Sequence, residues 1–189
     1  VAPITFQYAD AYTPYGPIVG NNNGISFFTL RPIASGGHWV MPGNRENMKG
    51  RAGRNIAGLF DYKKKLPDRG MIERDDLMEP QKDGVNAIGF RLGPNTDLKC
   101  PPSDAGGQFI LTCCGEFDLD DKVMESNSLI HLEPEEDPPV LRSGNDGASV
   151  LIMQFGRPSN RPGSDPIKMA KRDPNGYVDK QVKAGQLSN

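Results

Sequence analysis

Histidine, tryptophan and cysteine are scarce in this chain, and each scarcity narrows what the protein can do. The two histidines are His38 and His131, so a catalytic triad would have to be built on one of them. Neither has a nucleophile context. No Gly-x-Ser-x-Gly elbow occurs, and His131-Leu132-Glu133 lacks the Pro-Cys-x-x-Cys that completes a zinc deaminase site. The three cysteines, Cys100, Cys113 and Cys114, are an odd number without C-x-x-C spacing, which argues against a disulfide framework and a zinc knuckle and leaves them expected as thiols. No run reaches the roughly 18 apolar residues of a membrane span, so no span is expected. Asn-x-Ser/Thr acceptors are absent. The first residue is Val1, without a charged and then apolar leader pattern, and the chain is expected to be a soluble, processed or trimmed product. With no catalytic or cofactor motif, the expectation is a protein that is not an enzyme.

What the chain has in quantity is turn chemistry. Gly 22 and Pro 17 are spread over 189 residues without a period, and hydrophobic residues reach only 36%. Short strands joined by many turns fit that composition. Runs rich in branched and aromatic residues predict strands over Pro3 to Tyr8, Gly24 to Leu30, Gly37 to Met41, Val85 to Leu92, Gln108 to Leu119, Ser128 to Leu132 and Ala148 to Phe155. A single helix is predicted from Asn44 to about Tyr62, with Met48, Ala52, Ile56, Leu59 and Phe60 on one face and Gly50, Gly53 and Gly58 weakening it. The expected fold is all-β, an antiparallel β-sandwich with long loops, over residues 1–155. Residues 156–189 thin in apolar content and read as an extended or disordered basic tail or arm.

Charge is laid down in blocks although the total is only −2. Arg45 to Arg74 carries nine basic residues against four acidic, Glu116 to Asp137 nine acidic against one basic, and the tail seven basic against three acidic. Complementary blocks on one chain suit a homo-oligomer with head-to-tail contacts, and solvated faces are the bland alternative. The row Glu116, Asp118, Asp120, Asp121 follows the nearly two-sided apolar first half, Phe109 to Cys114, of the strand expected over Gln108 to Leu119, and marks where that strand leaves the core with one wet, anionic face. Carboxylates two apart share a strand face about 7 Å apart, so Asp118, Asp120 and Asp121 are candidate ligands of calcium, which accepts loose oxygen geometry. Glu116 with Asp118 would also serve a hydrolase as acid and nucleophile. Lys63, Lys64 and Lys65 could meet phosphates in a nonspecific nucleic-acid contact. His38 and Trp39, with nearby tyrosines, offer an aromatic surface for a sugar or a protein, which makes a carbohydrate-binding, lectin-like module the alternative function.

Residues 101 to 121, PPSDAGGQFILTCCGEFDLDD, resemble the last strand of the single jelly-roll coat proteins of small icosahedral RNA viruses. That resemblance implies a jelly-roll-like sandwich assembled with other capsid subunits, cation-binding carboxylates between them, and, in members with a protruding domain, a host receptor or glycan. It also implies a virion component made in host cytoplasm. The usual Arg-rich amino-terminal arm of that family is missing here, and the basic segment is carboxy-terminal instead.

Overall fold

A computed structural model describes residues 4–32, 40–45 and 52–158. Among them there are eleven strands and no α-helix: β1 Ile4–Ala9, β2 Asn55–Phe60, β3 Ile72–Asp76, β4 Asn86–Leu92, β5 Asp97–Lys99, β6 Gln108–Cys114, β7 Glu116–Leu119, β8 Lys122–Glu125, β9 Leu129–Leu132, β10 Val140–Ser143 and β11 Ala148–Gln154. They form three sheets, β1-β2, β5-β10-β7-β8 and β3-β4-β11-β6-β9, and the pairings in the two larger sheets are antiparallel. The protein is an all-β, jelly-roll-like antiparallel sandwich. The chain divides into two compact units, Val1–Gln7 with Ile56–Arg157, and Tyr8–Asn55 with Pro158–Asn189.

In the first unit the central strands of the five-stranded sheet, β4, β11 and β6, are buried on both faces. One face carries Ile88, Phe90, Leu92, Ile110, Val150 and Ile152, which pack with Leu98, Phe117 and Leu141 from the four-stranded sheet. The other face carries Ala87, Leu111, Cys113 and Leu151, covered by Phe6 and Phe60. Two covered faces explain why β4, β6 and β11 read as continuous apolar runs. Gly89 makes the second layer possible: a Cβ there would strike the Phe60 ring, so only glycine lets that ring lie flat on β4.

The stretch expected as one strand from Gln108 to Leu119 is two. Gly115 adopts φ +72°, a left-handed conformation, and a Cβ there would collide with the Gly147 carbonyl. The chain turns at this point, so β6 belongs to one sheet and β7 to the other. Phe117 is fully buried between them. The carboxylates Glu116 and Asp118 thus sit on a separate strand and face outward from the second layer, not on the end of the central strand.

Three further expectations are corrected. The helix from Asn44 to Tyr62 does not form in its described part: residues 55–60 alternate in exposure as β2, so Ile56 and Phe60 obey a period of two. Residues 46–51 of that stretch lie outside the described residues. The strand expected at Gly24 to Leu30 reduces to an isolated Asn21–Gly24 bridge, after which residues 25–30 have no ladder among the described residues. Of Gly37 to Met41, only Val40 and Met41 are described, and neither is in a strand. Of the expected tail, residues 159–189 lie outside the described residues.

Candidate interaction surface

The second unit is organised by one charged clasp. Arg54 donates its backbone N–H to Asp10 Oδ2 at 2.7 Å, its Nε to the same oxygen at 3.1 Å, and its Nη2 to Oδ1 at 3.0 Å. The Tyr8 hydroxyl donates to Oδ1 at 3.0 Å, and the guanidinium lies 5.3 Å from the Tyr8 ring centroid. Burial alone would raise the Asp10 carboxyl, but these hydrogen bonds favour the carboxylate more strongly and bring it from 3.8 to about 2. The backbone closes around the pair: Asp10 N–H donates to the Arg54 carbonyl, Thr13 N–H to the Asp10 carbonyl, and Gly53 N–H to Thr13 Oγ1. Both ends of a long excursion are thus pinned together.

Residues 11–30 of that excursion bury little. Between Asp10 and Arg31 there is no charged residue, yet Tyr15, Ile18, Val19, Ile25, Phe27 and Phe28 are 48 to 74% exposed. Its tip is a turn in which Gly24 N–H donates to the Asn21 carbonyl and Asn23 N–H to Asn21 Oδ1. Aromatic side chains carry areas of about 150–250 Å² each, so Tyr15, Phe27 and Phe28 leave substantial apolar area in solvent within one short run. Sequence reading misses it because each residue looks like ordinary strand material. The signal that could have found it is the absence of charge from residue 11 to residue 30.

The residues singled out from the sequence fall elsewhere. Asp118 faces outward from β7, in register with Arg142, whose guanidinium in turn donates to Asp97 at 3.0 Å. That row is the solvated face of the four-stranded sheet. Asp120 and Asp121 form the two-residue β7–β8 turn with φ +47° and +62°. Glu116 opposes Glu125 across β7 and β8, and both line a cleft of about 420 Å³ with Ser126, Asn145 and Asp146. Among the described residues no group of three or more His, Cys, Asp or Glu side chains is placed to hold a metal ion. Lys63, Lys64 and Lys65 are exposed between β2 and β3, with Lys63 Nζ 5.6 Å from the Tyr62 ring centroid. His38 and Trp39 lie outside the described residues. His131 stacks on Phe109 with ring centroids 4.5 Å apart. Burial pushes the Cys100 and Cys113 thiols up to about 12, so neither is a nucleophile at neutral pH.

The strongest buried electrostatics belong to Arg91. Its side chain is almost wholly buried, and it donates to Asp75 at 2.6 and 3.1 Å and to Glu73 at 3.1 and 3.2 Å. The Asp75 hydrogen bonds raise its already high pKa, against burial and together with Glu73. The group lies 5.7 Å from the Phe60 ring centroid, with Nη1 also reaching the Asp61 carbonyl. It fastens β3 to β4 and to the chain after β2. It is structural: both carboxylates are spent on the guanidinium.

No protein-family model matches this chain, and no curated protein does. Solved structures do match. EutQ of Clostridium difficile is 13% identical, over 65% of this chain and 90% of that one, with a TM-score of 0.37. A cupin-2 domain from Rhodospirillum rubrum is 14% identical, over 65% and 84%, with a TM-score of 0.37. The cupin_2 domain of an XRE-family transcriptional regulator from Enterobacter cloacae is 13% identical, over 46% and 98%, with a TM-score of 0.36. These are cupin and bacterial proteins, not viral coats, and they overturn the coat-protein expectation together with the capsid function, host attachment and virion location drawn from it. The chain gives a physical reason as well. Residues 108–119 are not a last strand but two strands in different sheets, with β8 to β11 still to follow.

Proposed function

We propose that this protein is a non-catalytic interaction module that works as an oligomer of identical chains, with residues 14–30 as the docking segment. The observation that carries the reading is a charge-free run of large apolar side chains left exposed on an excursion whose root is locked by Asp10 and Arg54. A clasp at the root holds the segment in a defined place, and exposed phenylalanines gain free energy only when something covers them, about 25 cal/mol per Å² buried. A second copy is the favoured partner because an uncharged apolar segment can be covered by another chain of this protein without bringing an unpaired charge of its own into the contact.

The sandwich interior supports a role without chemistry: Phe117, Leu141, Ile110 and Ile152 fill the space between the sheets. Calcium has no part in this reading, since Asp118 already stands opposite Arg142. Sedimentation velocity over a hundredfold range of concentration tests the proposal. The expected result is a reversible oligomer that Phe27→Ser combined with Phe28→Ser converts to monomer. A wild-type chain that stays monomeric at tens of micromolar overturns it.

A further inference from the structure

The docking segment has strand chemistry and, among the described residues, no strand partner. Residues 25–30, Ile-Ser-Phe-Phe-Thr-Leu, combine branched and aromatic side chains with a turn immediately before them, yet they make no ladder with the described part of their own chain. A strand edge of the complementary kind exists in the same protein. β3 is an edge of the five-stranded sheet. Leu77 N–H donates to the Ala87 carbonyl and Gly93 N–H to the Met71 carbonyl, which fixes the alternation: the backbone groups of residues 71, 73, 75 and 77 face β4, and those of Ile72, Arg74 and Asp76 face away from it.

We infer that residues 25–30 of one copy add as a strand to the outer edge of β3 in a second copy. The inference rests on the oligomer proposed above and specifies its receiving surface. The edge is prepared for a neutral strand. Each charged side chain of β3 already has a partner, Arg74 donating to Asp76 at 2.7 and 2.9 Å and Glu73 and Asp75 both accepting from Arg91, so an uncharged segment arriving there takes a partner from none of them. Met71 and Ile72 are exposed at one end of β3. At the other end an open cleft of about 690 Å³, lined by Leu77, Met78 and Pro80 together with Arg74, Asp76, Glu79 and Asn86, is large enough to take a phenylalanine ring. The lengths agree too, five residues in β3 against six in the segment. Main-chain hydrogen bonds would supply the affinity and the cleft the selectivity, which is how added strands are recognised.

Two measurements separate this inference from the reading beneath it. The first is the dimer dissociation constant of Arg74→Pro. Its N–H points away from β4, so proline leaves the protein's own ladder intact, and far-UV circular dichroism checks that the fold is kept. The expected loss is at least tenfold. The second uses a Cys114→Ser background and mixes chains bearing Ile72→Cys with chains bearing Ser26→Cys, Phe27→Cys or Phe28→Cys, treated with a short bismaleimide. At least one mixture is expected to give a cross-linked species of twice the chain mass. An oligomer that dissociates on Phe27→Ser with Phe28→Ser, but is indifferent to Arg74→Pro and yields no mixed cross-link, overturns the β3 assignment and leaves the docking segment standing. A monomeric wild type overturns both.

Discussion

Asp10 and Arg54 are forty-four residues apart; the Asp10 carboxylate accepts from the Arg54 guanidinium and backbone N–H, and Asp10 N–H donates back to the Arg54 carbonyl. The pair is a lock on the loop between them. Its partly buried, two-pronged geometry places it well above an ordinary surface ion pair in strength.

Acid should open this lock. The Asp10 carboxyl sits at about 2 in the folded protein against 3.8 ordinarily, so the folded state binds its proton more weakly than the unfolded state does. The stabilisation is complete above about pH 4 and is lost as pH falls toward 2. At about 1.4 kcal/mol per unit it amounts to about 2 kcal/mol. Urea unfolding of the wild type and of Asp10→Asn at pH 6 and pH 3 should show a gap that shrinks in acid, while exchange of the Arg54 amide accelerates. A gap that ignores pH would mean that the carboxylate is not what holds the loop.

Gly89→Ala should destabilise the protein by about 1–3 kcal/mol, because the added methyl meets the buried Phe60 ring. Phe60→Leu made on top of it should recover part of that loss. Chemical denaturation of the two single variants and the double variant gives the coupling, and strict additivity would contradict the contact.

Arg91 predicts an asymmetry. Its own side chain is 2% exposed, whereas Asp75 and Glu73 are 38% and 45% exposed. Removing the arginine leaves carboxylates that water can reach; removing Asp75 leaves a buried cation with only the half-exposed Glu73 to balance it. Asp75→Asn should therefore cost more than Arg91→Met, on the order of 3 kcal/mol against 1–2. The reverse order in thermal or urea unfolding would refute the burial argument.

Asp121→Gly should stabilise the β7–β8 hairpin by up to about 1 kcal/mol, since φ +62° is a conformation that glycine adopts freely and aspartate does not. The gain in Tm should be the same with calcium and with chelator. A Tm rise on adding calcium that Asp121→Gly abolishes would return Asp118, Asp120 and Asp121 to the role of a cation site.

How much of this is legible in the sequence depends on burial. β4 and β11 can be read within a residue or two, and β6 from its start at Gln108, because a strand covered on both faces must be apolar throughout; the end of β6 at Cys114 cannot, since the apolar alternation runs on through Phe117 and Leu119. β3 cannot, since Ile-Glu-Arg-Asp-Asp looks like a charged loop until Arg91 is seen to need Glu73 and Asp75. Ile56 and Phe60 suggest a helix because they also satisfy a spacing of four; the partners of Phe60 in the buried layer, and the alternation of exposure along β2, decide for a strand. At Ile25 to Leu30 the local chemistry reads as strand, and a ladder needs a second strand that no local pattern can supply. The outward carboxylates are visible as a row, but their position in the second layer follows from the turn at Gly115.

The order β3-β4-β11-β6-β9 also sets a schedule for folding. β11, latest in the chain of the described strands, is the middle of its sheet and the sole bridge between β4 and β6. A nascent chain that has released Phe90 and Leu111 into solvent cannot seal them until Gln154 has cleared the ribosome. Pairing across such sequence distances is slow and exposes apolar strands while it waits, so this protein is most vulnerable to misassociation during its own synthesis.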